Sequence, residues 1–176
     1  MARSLAASLA ILGGCILVMT TGCYKSQPRV RIPIPPLNDA ESVKRLWLRQ
    51  TCDTNQEGQL EAQLVRFRVE LEPLFVQAFK DRVPAADLSA VEVAATRQFK
   101  EAKGYNADVS EHVARERNNY ISGYRSAALS GLGIVGGVEG RRLLEQVAAD
   151  SQSPFSHNAQ LALQALLGGK IKASRP

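Results

Sequence analysis

Apolar side chains recur at helical spacing along nearly the whole chain after Leu37. In each segment, positions three and four residues apart form one apolar face, as in an amphipathic helix. Helices are predicted over residues 39–51, 59–72, 74–82, 87–103, from 108 or 110 to about 130, and 139–149, with a last helix after Pro154. No segment alternates with the two-residue period of a strand over a useful length. The sequence therefore predicts an all-α domain over residues 38–176, built as a helical bundle or a short α-solenoid.

Polar residues, prolines and glycines predict where these helices begin and end. Asn38 with Glu41 three residues later has the pattern of a capping box. Pro73 is expected to end or kink the second helix, because an interior proline costs about 3 kcal/mol. The segment Gly131–Gly136 spells G-x-G-x-x-G, but the dinucleotide fingerprint needs a strand before the glycines, and here a helix is predicted. We interpret these glycines as a helix end and an interhelical turn.

The first 37 residues differ in character from this helical part. Arg3 is followed by an uncharged apolar run to Met19 and then by small residues, which is the layout of a signal peptide over residues 1–22. The run is short and interrupted by glycine, whereas a membrane span needs about 20 apolar residues. Residues 23–37 include four prolines, which exclude a helix and favour an extended spacer of roughly 40 Å at about 3.1 Å per residue. Alternation of Val30, Ile32 and Ile34 leaves an edge strand as the alternative.

The end of the signal resembles the lipobox of bacterial lipoproteins. Gly22-Cys23 supports the resemblance, and Thr20 departs from it, because the family favours Leu, Val or Ile there. Cys15 follows a locally better match, but cleavage there would leave the apolar residues 16–19 on the mature chain. Cys23 is therefore the expected lipidated residue. A plain secretory signal and an uncleaved anchor are the alternatives.

What the lipobox resemblance implies is a location. The Cys23 thiol would carry a diacylglycerol and anchor the protein in the bacterial cell envelope. Tyr24 is not the Asp that disfavours outer-membrane sorting, so the resemblance implies the outer membrane, facing the periplasm, if the source is Gram-negative. Acyl chains contribute about 0.8 kcal/mol per buried methylene, which makes release from a bilayer negligible.

A repeat is visible near the C-terminal end. The segment Ala128-Leu-Ser-Gly-Leu132 matches Ala162-Leu-Gln-Ala-Leu166 at an offset of 34 residues. With the residues between the copies, this resembles a HEAT-like helical repeat over residues 125–167. The family implies a curved scaffold that holds protein partners, without catalysis. An ordinary α-bundle in which the repeat is coincidental is the alternative.

The segment from 53 to 61 resembles the first nine positions of an EF-hand calcium loop. The candidate oxygen ligands are Asp53, Asn55, Glu57 and Glu61. Leu64 replaces the bidentate Glu that the family has at position 12, so any affinity for Ca²⁺ is expected to be weak. A polar interhelical loop is the other interpretation.

Composition and charge narrow the classes of function. The chain of 176 residues has a net charge of +5, but its basic residues are interleaved with acidic ones, which indicates solubility and no nucleic-acid partner. His112 and His157 are distant in sequence and are expected at the surface or at helix caps. No catalytic motif occurs, so no enzyme activity and no cofactor are predicted. The expected function is a membrane-anchored, non-catalytic adaptor for protein partners, and a weakly Ca²⁺-binding or ligand-sensing lipoprotein is the alternative.

Overall fold

The computed structural model describes residues 37–49, 54–101 and 108–173, with backbone alone at 54–59 and 169–173. Those ranges contain seven helices and no strand, which confirms the all-α prediction. The predicted signal peptide, Cys23, the proline-rich spacer before Leu37 and the residues 52 and 53 lie outside the described residues. The helices are α1 (Ala40–Arg49), α2 (Thr54–Arg66), α3 (Arg68–Lys80), α4 (Ala85–Glu101), α5 (Val109–Val135), α6 (Val138–Ala149) and α7 (Ser156–Ala173).

Helix α5 is the centre of the described fold, since each of the other six helices packs against it. Its second half is buried and begins at Tyr124. Helix α3 lies against this half and contributes Phe75, which is fully buried and is the largest such side chain among the described residues. The other large side chains that are fully buried are Leu60, Leu64, Leu71, Leu129, Leu132, Leu144, Val43 and Val135.

The first helix begins with a side-chain cap one residue later than predicted. Asp39, and not Asn38, accepts the backbone N–H of Ser42 at 2.7 Å and the Ser42 hydroxyl at 2.8 Å. Glu41 instead forms an ion pair with Lys44 at 2.7 Å. Asp108 caps α5 by accepting the backbone N–H of Ser110 at 2.8 Å, in agreement with one of the two predicted starts. Each carboxylate thereby satisfies an N–H group that has no partner within its own helix.

These two caps predict a dependence of stability on pH. The backbone hydrogen bonds from Ser42 and Ser110 lower the pKa of Asp39 and Asp108 below the ordinary value of 3.8. A lowered pKa in the folded state gives stability that is present above about pH 4 and is lost as the pH falls through that lowered pKa. Asparagine also caps helices but does not titrate, so the Asp39→Asn/Asp108→Asn variant should lose less stability in acid.

Urea unfolding of the natural chain and the double variant, measured from roughly pH 5 to pH 2, tests this dependence. The expected result is a shallower decline in the free energy of unfolding for the variant. An identical decline in both proteins would show that the two caps do not contribute to the acid sensitivity.

The helix ends six residues before Pro73, at Phe67, and α3 continues through the proline, so the prediction that Pro73 ends the helix is wrong. Pro73 lies inside α3 on an exposed face. The neighbouring Val69, whose carbonyl loses its intrahelical donor to the proline, is 80% exposed and lies where water can solvate it. The interruption at Phe67 is short, since its N–H still bonds the Gln63 carbonyl at 3.1 Å.

The glycine-rich segment ends α5 and turns the chain, as predicted. Gly131 and Gly133 lie in the last turns of the helix, and Gly136 and Gly137 follow it with φ of +70° and +104°. Such positive φ angles are strained for residues with a Cβ. The Glu72 carboxylate of α3 accepts the Gly140 backbone N–H at 2.8 Å and so satisfies a free donor in the first turn of α6.

The last three helices contain the predicted repeat. Leu143, Leu144 and Val147 are buried on one face of α6, as their spacing predicts. Helices α5 and α7, which carry the two copies of the repeated sequence, are direct neighbours. This packing is consistent with a helical bundle, and the HEAT-like assignment of residues 125–167 stays a prediction.

Candidate functional site

Helix α4 and the first half of α5 form a two-helix unit, here called the α4/α5 hairpin (residues 85–101 and 109–123). Helix α4 packs mainly on α5, and its first turn also contacts α1 through the Arg49–Asp87 ion pair. Ala95, at 2% exposure, is the buried residue of α4, and none of residues 109–123 is buried. Helices of this length gain most of their stability from packing an apolar face against a neighbour. Since this hairpin has a small core, part of its apolar surface is available for contact with a further helix or protein.

One end of the hairpin is attached firmly to α1. Arg49 forms an ion pair with Asp87 at the start of α4, and the Trp47 indole N–H donates to the Ala127 carbonyl of α5 at 2.7 Å. Tyr120 and Tyr124 lie at the same junction, with their rings 6.3 Å apart. Burial, and then the negative charge of Asp87, raises the pKa of both phenols, so both stay neutral at physiological pH.

A hollow of about 560 Å³ lies between the two helices of the hairpin. An ion pair between Glu92 and Arg117 joins its two sides at 3.3 Å. The Thr96 hydroxyl donates to the Glu92 carbonyl at 2.7 Å and is thereby held against its own helix. The lining residues are Glu92, Thr96, Val109, Ser110, Val113, Ala114, Arg117, Asn118 and Ile121.

A second hollow, of about 450 Å³, continues along α4 and shares Glu92 and Thr96 with the first. Its other lining residues are Ser89, Val93, Arg97 and Lys100. Val93 is 69% exposed, which leaves much of its side chain in water. The lining residues of the two hollows together make one surface, called the hairpin face below.

Charge on the hairpin face is unbalanced. Glu92 is neutralised by Arg117. Arg97 and Lys100 are exposed, and no carboxylate of the described residues lies within ion-pair distance of either. The face therefore offers an apolar floor and a cationic rim, which are complementary to an amphipathic ligand with negative charge.

The structure corrects the loop that the EF-hand-like interpretation assumed. Helix α2 begins at Thr54, so the chain from that residue to Glu61 is helical, and the prediction of a loop is wrong there. Asn55 and Glu57 are two residues apart on this helix, which puts them on opposite sides at about 100° per residue. Glu61 is exposed, and Asp53 lies outside the described residues. Ca²⁺ binding by these four residues stays a prediction. The loop on which that prediction was based is helical from Thr54 onward.

The other side chains that could bind a metal ion also lie apart from one another. Within the described ranges, no three His, Cys, Asp or Glu side chains come together in a way that suits a metal ion. His157 is exposed, as predicted. His112 is half-buried in the first turn of α5, where its ring lies 5.6 Å from that of Phe99 and its Nδ1 lies 2.8 Å from Arg115 Nη2.

Sequence reasoning missed the hairpin face, although one signal was present. The apolar residues of α4 that recur at helical spacing are Leu88, Val91, Ala95 and Phe99. Val93 lies about 140° from Leu88 around the helix, on the side expected to be polar. An apolar residue outside the stripe was the available sign of a second contact surface.

Comparison of the chain with family models, with curated proteins and with solved structures finds no match. In the part of the chain that the structure describes, no helix has the length and apolarity to cross a membrane.

Proposed function

We propose that this protein is a bacterial lipoprotein, anchored in the cell envelope through Cys23, and that its helical domain is a non-catalytic adaptor for protein partners. The proposed location depends on the signal-like residues 1–22 and on the resemblance to a lipobox. The proline-rich spacer would hold the domain at some distance from the bilayer. With a non-Asp residue after Cys23, the proposed site in a Gram-negative source is the outer membrane, facing the periplasm.

The observation that carries the adaptor role is the open hairpin face. A helix of 17 residues with one buried side chain, beside two adjoining hollows, is a surface on which a partner can complete the packing. The HEAT-like resemblance of residues 125–167 supports the same role, because such repeats are scaffolds for protein partners.

The acylation site gives a direct prediction. Native protein extracted from its own membranes should begin at Cys23 and carry the added mass of the lipid. The Cys23→Ala variant should lose that mass and should no longer be retained in the membrane fraction, since acyl chains supply the anchoring free energy. Intact-mass measurement and membrane fractionation test this, with Cys15→Ala as the matched control that should be processed normally. A native chain that still carries Met1, or that begins with an unmodified residue, would contradict the proposal.

The adaptor role is tested on the same native preparation. The full chain, solubilised in mild detergent and captured through a C-terminal tag, should retain at least one envelope protein in defined stoichiometry. Capture of the acylated chain alone, under gentle conditions and after cross-linking, would contradict the adaptor role and leave the anchoring result intact.

A further inference from the structure

We propose that the hairpin face binds an amphipathic helix of a partner protein, and that this helix has an acidic flank. The inference rests on the proposed adaptor function and specifies the surface and the partner's chemistry. The apolar side of the partner's helix would lie on Val93, Val113 and Ile121. Its acidic flank would lie beside Arg97 and Lys100.

The shape of the face favours a helix as the occupant. The first hollow runs along α5 from Val109 to Ile121 and is bounded on α4 by Glu92 and Thr96, and the second continues along α4 from Ser89 to Lys100. At about 1.5 Å per residue, each of these segments is roughly 17 Å long, which equals about three turns of a bound helix. The ridge of side chains along a helix fits into the groove between two others, and this is how helix-in-groove recognition works.

The charge of the face favours an acidic flank. Glu92 and Arg117 cancel, which leaves the positive charges of Arg97 and Lys100 on the face. The other acidic residues of the hairpin are Asp87, Glu101, Glu111 and Glu116, and none of them lines either hollow. An acidic flank would pair with both cations at the exposed rim, where charge mainly sets partner choice and association rate.

The two other conceivable occupants fit the face less well. A second copy of this chain that paired through the same face would bring two surfaces with excess positive charge together, which opposes association. A lipid surface with anionic headgroups would satisfy the charge, but a flat bilayer surface would leave the two hollows unfilled. Both occupants are separate outcomes of the experiment that follows.

The test uses a photo-cross-linking amino acid, benzoylphenylalanine, placed at Val93 in the full chain and expressed in the source organism. The control carries the same probe at Val138 on α6, which is 81% exposed and lies outside the hairpin. After illumination, the cross-linked segment is sequenced by mass spectrometry. The expected result is a cross-link from position 93, absent from position 138, to a segment of another protein with the spacing of an amphipathic helix and a net negative flank.

Charge reversal then tests the role of the rim. The Arg97→Glu/Lys100→Glu variant should lower the cross-linking yield roughly tenfold, the effect of two charge pairs of ordinary strength. The matched control is Arg82→Glu/Arg142→Glu, two exposed cations outside the hairpin that form no ion pair with any described residue, and it should leave the yield unchanged. All four positions are exposed, so melting temperatures should stay close to that of the natural chain and verify that each variant is folded.

Several results would overturn the proposal. A cross-link to another copy of this chain identifies self-association, and one to lipid identifies a membrane contact. A cross-linked segment without acidic residues, or an unchanged yield after reversal of Arg97 and Lys100, also contradicts it. If the tagged chain retains a partner while position 93 yields no cross-link, the hairpin assignment fails and the adaptor function stands. If no partner is retained at all, the adaptor function fails as well.

Discussion

Replacing Gly133 with alanine is expected to destabilise the protein by about 3 kcal/mol, at the upper end of the usual cost of overpacking. A Cβ at this position would lie 2.8 Å from the carbonyl oxygen and 2.9 Å from the Cα of Ala162. Both are backbone atoms of α7, so no side chain can rotate away to relieve the overlap. The two helices would have to separate, and the buried contacts of Leu132 and Ala159 would loosen with them.

The same helix provides a matched control. Gly123 is also inside α5, but a Cβ there would meet nothing within 4 Å. Gly123→Ala should therefore stabilise the protein by about 0.5–1 kcal/mol, because alanine is the better helix former. Urea unfolding of both variants measures the difference. If Gly133→Ala were as stable as Gly123→Ala, the close packing of α5 on α7 would be wrong.

Replacing Phe75 with alanine is expected to cost about 3–5 kcal/mol, the range found when a buried aromatic ring is removed from a core. Phe75 is fully buried on α3 and is the largest fully buried side chain of the described residues. The ring of Phe75 also explains why the residue that faces it, Gly131, has no side chain. A Cβ on Gly131 would lie 2.7 Å from ring atom Cε2.

This contact predicts that substitutions at the two positions are not additive. Gly131→Ala alone should cost about 1–3 kcal/mol, because the buried ring has no free space to move into. Beside Phe75→Leu, the same substitution should be neutral or stabilising, since the smaller side chain leaves room and alanine favours the helix. A double-mutant cycle in urea gives the coupling, and Phe75→Leu keeps the protein folded more safely than Phe75→Ala does. Additive costs would show that the ring and Gly131 are not in contact.

The hairpin face relates this packing to the proposed function. The buried half of α5 is held by Phe75, Leu132 and the glycine contacts, while its other half reaches out beside α4 with little core of its own. Substitutions in the buried half should therefore change stability. Substitutions at Arg97 and Lys100 should change binding without changing stability, which keeps the two kinds of experiment separate.

Much of the fold was predictable because helical periodicity is a local property. The apolar spacing of Leu143, Leu144 and Val147 predicted the buried face of α6, and the structure confirms it. Local capping chemistry predicted Asp108 as a start of α5. The cap at α1 was misplaced by one residue, because Asn38 and Asp39 have similar side chains and only the structure shows which one reaches Ser42.

The candidate site was less predictable, since it depends on which helices are neighbours. The pattern around residues 53–61 was interpreted as a calcium loop, but composition at single positions does not decide between a polar loop and the exposed side of a helix. The break at Phe67 is a similar case. Pro73 can stay within α3 because it faces solvent, and its exposure is a consequence of tertiary packing.

By itself, the sequence determined the all-α class, most of the helices and the turn at Gly136 and Gly137, because each depends on residues a few positions apart. Only the tertiary structure decided that Gly133 lies against the backbone of Ala162, that Glu72 caps α6 and that α4 packs mainly on α5. Each of these contacts joins segments that are distant along the chain. Whether such a contact forms depends on the packing of all the helices together, which no local sequence pattern encodes.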